Sequence, residues 1–227
     1  MCPLSIDRII RSRRKTLSLL IDEKGNLIVR APSTATDRDI HALVERKRPW
    51  IESKQRMARE RYRELQDRGF GEGAEYPYLG TRYPLRHLPA EDGGAPFVFT
   101  GREFLIFNDR IDDARKLMTA WYREQAQRLI PERVNRYAAL SGTSFERVRI
   151  TGAMKRWGSC TSTGNLNFSW RLVMAPLEVV DYVVVHELSH RKEQNHSSRF
   201  WTEVGRVIPE YRTYRAWLSR HGYGLRI

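Results

Sequence analysis

The chain has 227 residues, 41% of them hydrophobic but broken throughout by charge, so it can bury a core yet holds no apolar run near the ~20 residues of a bilayer-spanning helix. Its two cysteines, Cys2 and Cys160, lie far apart and exclude a disulfide-stapled scaffold, which suits a reducing compartment. A net charge of +13 favours anionic partners (nucleic acid, nucleotides or acidic peptides) without choosing among them.

The first residues run into Arg8 and Arg11 without developing the apolar stretch of a signal peptide, so a cytoplasmic location is expected. Two β-prone runs, residues 16–21 and 27–30, flank the turn-rich Asp22-Glu23-Lys24-Gly25-Asn26 and read as a hairpin. From Asp37 the spacing becomes helical (Ile40, Leu43, Val44, Trp50, Ile51) and highly charged as far as Arg68, with Pro49 kinking or dividing the helix. Arginines there alternate with Glu45, Glu52, Glu60 and Glu64, the pattern of a solvated helix laced with ion pairs. Residues 76–79, 83–88, 96–100 and 103–107 form a second β-rich patch, expected to close a small sheet with the first hairpin.

Residues 114–140 return to helical spacing, with Leu117, Trp121, Leu129, Ile130, Val134 and Tyr137 as the apolar positions. The reading is an α+β protein of two domains, a β-rich N-terminal domain with a long charged helix over 1–110 and a second domain over 111–227. A strand over 148–151 follows, then a turn at Thr163-Gly164. Residues 165–172 alternate strictly, with Leu166, Phe168, Trp170 and Leu172 on one face and Asn165, Asn167, Ser169 and Arg171 on the other.

The chemistry concentrates in a predicted helix over 176–195. Pro176 suits its first position, Glu178 and Asp181 suit its positive end, and Val179 to Val185 are apolar almost all round. Within it stands His186-Glu187-Leu188-Ser189-His190. Imidazoles four residues apart share a helix face and project side by side toward one metal ion, while a carboxylate one residue on reaches a water at that metal. Zinc would acidify the water, and Glu187 would accept its proton. Such a centre needs a third ligand. His196 lies six residues past His190, about 600° on along a helix, so the chain has to turn. Asn195 is a helix-ending residue and Ser197 or Ser198 can cap a new helix holding Phe200, Trp201 and Val204. Glu203 and Glu210 are the alternative third ligands.

These residues resemble the YgjP-like metallopeptidase family, related to SprT-like and minimal gluzincin-type zincins. The likeness is carried by Arg156-Trp157-Gly158-Ser159-Cys160, Asn167-Phe168-Ser169-Trp170-Arg171-Leu172, Ala175-Pro176, the stretch from Tyr182 to His190, Asn195-His196-Ser197 and Phe200-Trp201. It implies a zincin-like catalytic domain with the active-site helix packed under a small sheet, and an edge strand, residues 165–172, to which a peptide can add. Asn167 and Ser169 on that strand, with Arg156 beside it, are then candidate substrate-binding residues. The ligand spacing is that of metzincins, but Glu193 replaces their glycine and no methionine follows Met174, so the chain is not an ordinary metzincin.

Arg156 offers a cation to a carboxylate or phosphate, or belongs to a structural turn around a packed Trp157. Cys160 reads as an inert buried thiol, His41 and His87 as surface or packing residues, and Tyr211, Tyr214 and His221 as candidate oxyanion stabilisers. The expected function is a zinc-dependent peptidase, with another divalent metal such as manganese as the alternative cofactor. A nucleoside triphosphate pyrophosphatase or phosphohydrolase and a nucleic-acid-associated protease module are the competing readings.

Overall fold

A computed structural model of the chain describes residues 4–67, 69–89 and 95–227, the side chains of residues 61 and 64–67 excepted. Cys2 and Arg68 lie outside the described residues. The protein is α+β, with six α-helices and three small sheets among the described residues. It divides into two compact units, Met1–Arg68 and Gly69–Ile227.

In the first unit, β1 (Arg8–Ser12), β2 (Ser18–Ile21) and β3 (Leu27–Pro32) form a sheet in the order β1-β3-β2. The β2–β3 hairpin is as expected, and β1 adds in parallel on the other side of β3. The hairpin turn is held by Asp22, whose carboxylate accepts the amides of Lys24 and Asn26. Alternation along β3 buries Leu27, Val29 and Ala31 against Ile40 and Val44 of α1 (Asp37–Arg46) and Ile51 of α2 (Arg48–Asp67). Thr36 and Asp39 close a reciprocal capping box at the start of α1. The helix breaks at Lys47, so Pro49 falls in the first turn of α2, where its missing N–H costs no helical bond.

The second unit opens with a four-stranded sheet, β4 (Glu75–Tyr78), β5 (Thr81–Leu88), β6 (Phe97–Phe99) and β7 (Phe104–Phe107), in the order β4-β5-β7-β6. These strands do not extend the first hairpin as the sequence led us to expect; they form a sheet of their own, because their buried residues pack into the core of the second unit. The expected boundary between residues 110 and 111 also differs from the structure. Tyr76, Leu85, Phe104 and Ile106 share one buried core with Met118 and Tyr122 of the next helix, α3 (Ala114–Ser141).

Helix α3 buries Ala114, Met118, Tyr122, Ala126, Ile130, Val134 and Ala138. Steps of four residues advance the line by about 40° each on a helix of 3.6 residues per turn, so the buried line winds around the rod. Residues Leu117, Trp121, Leu129 and Tyr137 of the expected apolar face flank it, partly buried. Trp121 meets Tyr78, Phe97, Phe99 and Phe104 edge-on at 4.9 to 6.4 Å between centroids. Gly142 ends α3 in the left-handed conformation.

The third sheet has β10 (Asn165–Ser169) in the centre, β8 (Arg147–Thr151) parallel on one side and β9 (Gly158–Cys160) antiparallel on the other. Leu166 and Phe168 are fully buried, and Trp170 to Met174 continue as a 3-10 turn rather than as strand. Three helices complete the unit: α4 (Leu177–Ser189), α5 (Ser198–Val207) and α6 (Tyr211–His221). Asp181 does not serve the positive end of α4. It is buried in a two-pronged pair with Arg133 of α3, at 2.6 Å in both hydrogen bonds, and accepts a third from the Tyr137 hydroxyl at 2.9 Å. That pair raises the Arg133 pKa, and burial raises that of Tyr137. No helix among the described residues is long and apolar enough to cross a membrane.

Candidate metal centre

Helix α4 runs through the core because its residues from Val179 to Val185 are all buried. It brings its last turn, with His186 and Glu187, to the surface of the unit, and His190 caps its end. The helix stops at Ser189 rather than at the expected Asn195. The amides of Arg191, Lys192 and Glu193 bond back to Leu188 and Ser189, while the side chain of Arg191 reaches the carbonyls of Ser144 and Ser162 and that of Lys192 reaches Ser141. Asn195 is not left-handed, and its side-chain oxygen accepts the Ser197 amide. Ser197 in turn caps α5 by accepting the Phe200 amide.

This reversal folds His196 back over the end of α4. One ring nitrogen from each of His186, His190 and His196 lies within 4.8 Å of the other two, and Nε2 of His186 stands 3.1 Å from Nε2 of His196. Ligands at about 2.0–2.1 Å from a tetrahedral zinc are about 3.3 Å apart, so the donor set fits one cation. Its polarity fits as well. Nδ1 of His190 faces the carbonyl of Glu193 at 3.1 Å, and since a carbonyl only accepts, the proton sits on Nδ1 and the Nε2 lone pair is left for a metal. Burial pushes the His186 pKa down to about 3, assisted by His190, His196 and Arg215, so its ring is neutral. Burial also lowers the His190 pKa, against the pull of the Glu193 carbonyl. Phe200, fully buried, sets the three rings, with centroids 4.9, 4.5 and 4.8 Å from those of His186, His190 and His196.

Glu187 is 5% exposed, and burial pushes its pKa up to about 8 against the opposing charge of Arg156. Its carboxyl lies against the backbone of β9. A Cβ on Gly158 would stand 2.5 Å from Oε1 and 2.6 Å from Cγ of Glu187, so only glycine leaves that space. Strand β9 pairs with β10 on one side and, among the described residues, with no strand on the other.

Other expectations fare differently. The strand over 165–172 is not an edge: β10 sits between two partners, because the open in-plane side belongs to β9. Ser169 is 1% exposed with its hydroxyl on the Ala153 carbonyl, and the Asn167 amide bonds Ser159 within the sheet, so neither stands on an open edge. Arg156 is exposed near Glu187. Glu203 is paired with Lys192 and Arg206, and Glu210 precedes α6; neither belongs to the histidine cluster. Cys160 bonds the Thr161 carbonyl, and burial raises its thiol pKa. His221 folds over Trp217, whereas Tyr211 stacks on Trp201. His41 is exposed and His87 bonds the Phe70 carbonyl. The role of Phe200 was not read from sequence; an apolar residue in the first turn of the helix after a metal-spaced histidine was the available signal.

A family model described as YgjP-like, metallopeptidase domain matches residues 15–221. The chain belongs to the YgjP-like metallopeptidase family. A crystal structure of the metallopeptidase zymogen of Pyrococcus abyssi abylysin is similar to 40% of this chain and 94% of its own, at 21% identity and a TM-score of 0.38. Comparison with curated proteins gave no significant match. As a YgjP-like metallopeptidase the chain is a hydrolase of the metal-dependent class, and its family implies a divalent cation and a peptide or protein substrate. The family match extends over both compact units, from within the first sheet's region to the end of α6.

Proposed function

We propose that the chain is a zinc endopeptidase in which His186, His190 and His196 hold the metal and Glu187 is the general base and acid. The observation that carries this reading is the convergence of three imidazole nitrogens within 4.8 Å beside a buried carboxyl on the same helix. An all-imidazole donor set suits zinc better than the harder manganese. When bound, the cation supplies Lewis acidity, polarising the scissile carbonyl and acidifying water at the site.

The chain's own residues do the rest. A peptide lies along the open side of β9, where backbone N–H and C=O groups take its main chain as a further strand and bring one amide bond over the histidines. A carboxylate oxygen of Glu187 removes a proton from the attacking water, and the same group returns it to the departing amine as the C–N bond breaks. Both the charge of Arg156 and a nearby cation oppose the burial that favours the neutral acid, which keeps Glu187 poised between its two forms. The nucleotide and nucleic-acid readings rest on net charge, and no feature of the histidine cluster favours them.

The test is Glu187→Gln. Peptide turnover is expected to vanish while zinc content, measured by mass spectrometry of the metal, stays at the wild-type value. Retained turnover overturns the assignment of the base.

A further inference from the structure

Helices α5 and α6 enclose an open groove of about 1080 Å³ beside the histidine cluster. Its wall nearest the cluster is Trp201, whose ring centroid lies 5.7 Å from that of His186 and 5.8 Å from that of His196. Three arginines line the groove, Arg206, Arg212 and Arg215, and no carboxylate does. Two of them lie by aromatic rings: Arg215 lies 4.7 Å from the Trp201 centroid, and Arg212 lies 5.7 Å from that of Tyr211, to whose hydroxyl its Nε donates at 3.3 Å. The two rings are themselves stacked at 5.2 Å and 14°.

A guanidinium held against a ring keeps in-plane N–H groups for an acceptor, and at Arg212, whose Nε is taken by the Tyr211 hydroxyl, these are the terminal ones. No carboxylate among the described residues forms an ion pair with Arg212 or Arg215. The groove therefore offers preset donors with unspent charge. Both rings are already engaged with each other and with a guanidinium, so N–H edges, more than a free ring face, are what a ligand meets. Its volume is at the upper limit of the ~300–1,000 Å³ usual for small-ligand sites, room for several side chains.

We propose that this groove is a specificity subsite that takes an acidic stretch of the polypeptide substrate, with Arg212 and Arg215 binding Asp or Glu carboxylates next to the bond to be cut. The proposal deepens the peptidase reading and rests on it for cleavage, though not for binding. It gives the strong positive charge of the protein a local task, drawing in acidic segments and fixing their register against the histidines.

Two measurements on the full-length protein test it. In the first, zinc-loaded wild type cuts pairs of quenched fluorescent peptides that differ only in Glu against Gln at positions flanking the bond. The Glu peptides are expected to show kcat/KM about tenfold higher, and the ratio to fall toward unity in an Arg212→Gln, Arg215→Gln variant. In the second, fluorescence anisotropy follows binding of labelled hexaglutamate to the Glu187→Gln protein. Binding is expected, weakening as salt rises and lost about tenfold with the two arginines replaced. Cleavage with no preference for Glu overturns the subsite and leaves the peptidase reading standing. Binding of hexaglutamate with no peptide cut supports the subsite and overturns the peptidase. Equal affinity for hexaglutamine, or tighter competition by a nucleoside triphosphate than by the acidic peptide, overturns the proposal and in the latter case assigns the arginines to phosphate.

Discussion

Glycine 158 fills a role that no larger residue can take, since the Glu187 carboxyl occupies the space where its side chain would begin. Gly158→Ala is expected to displace that carboxyl and to lower kcat about a hundredfold, the scale of a misplaced catalytic group, with zinc content unchanged in the same preparations. A loss of metal in step with activity would show that the glycine serves the ligands instead. The Arg133–Asp181 pair lies deeper. Removing one partner, as in Asp181→Asn, leaves a buried guanidinium without its counter-charge and is expected to cost about 3–5 kcal/mol, read as a fall in the denaturation midpoint. Replacing both, with Arg133→Met and Asp181→Leu, is expected to recover most of that loss. The grouping of His186 and His190 was legible in the sequence because a four-residue spacing on an apolar helix has a direct geometric meaning, and that of His196 because the chain had to turn to bring it back. Asp181 was misread because a carboxylate near a helix start suits the dipole, and its partner 48 residues earlier leaves no local trace.

Among the elements, the turn between α4 and α5 decides whether a third imidazole arrives. Residues Arg191 to Gln194 all favour helix, so propensity placed the end of α4 too late; side-chain bonds from Arg191 and Lys192 to distant carbonyls impose the earlier stop. The start of α5 was easier to read, because Ser197 caps it by local chemistry. Ser197→Ala is expected to cost about 1 kcal/mol of stability and, by loosening the turn that carries His196, to weaken zinc binding in a competitive chelator titration. Unchanged zinc affinity would mean that Phe200 alone holds the ring in place. The mistaken edge strand has a different cause. Alternation reports which faces of a strand are buried, whereas an edge is open within the plane of the sheet, a direction in which no side chain points. With three residues, one of them glycine, β9 has too little pattern to announce itself.

At the scale of the whole molecule, α+β composition and the existence of two units follow from the texture of the chain, but the place of division does not. A helix-rich stretch after a β-rich one looks like a boundary, yet here both sides of it feed one core. Residues 69–227 expressed alone are expected to remain soluble and to bind zinc, because every member of their buried core lies within that span. A chain begun at residue 111 is expected to aggregate, checked by soluble yield and light scattering. The winding buried line of α3 explains why. Its first turns shelter beneath the four-stranded sheet while its later turns brace α4. Recombination between genes therefore has no seam to use inside this unit: a graft that moves the histidines to another protein has to take the distant strands along as luggage, or arrive with half of its axle bare.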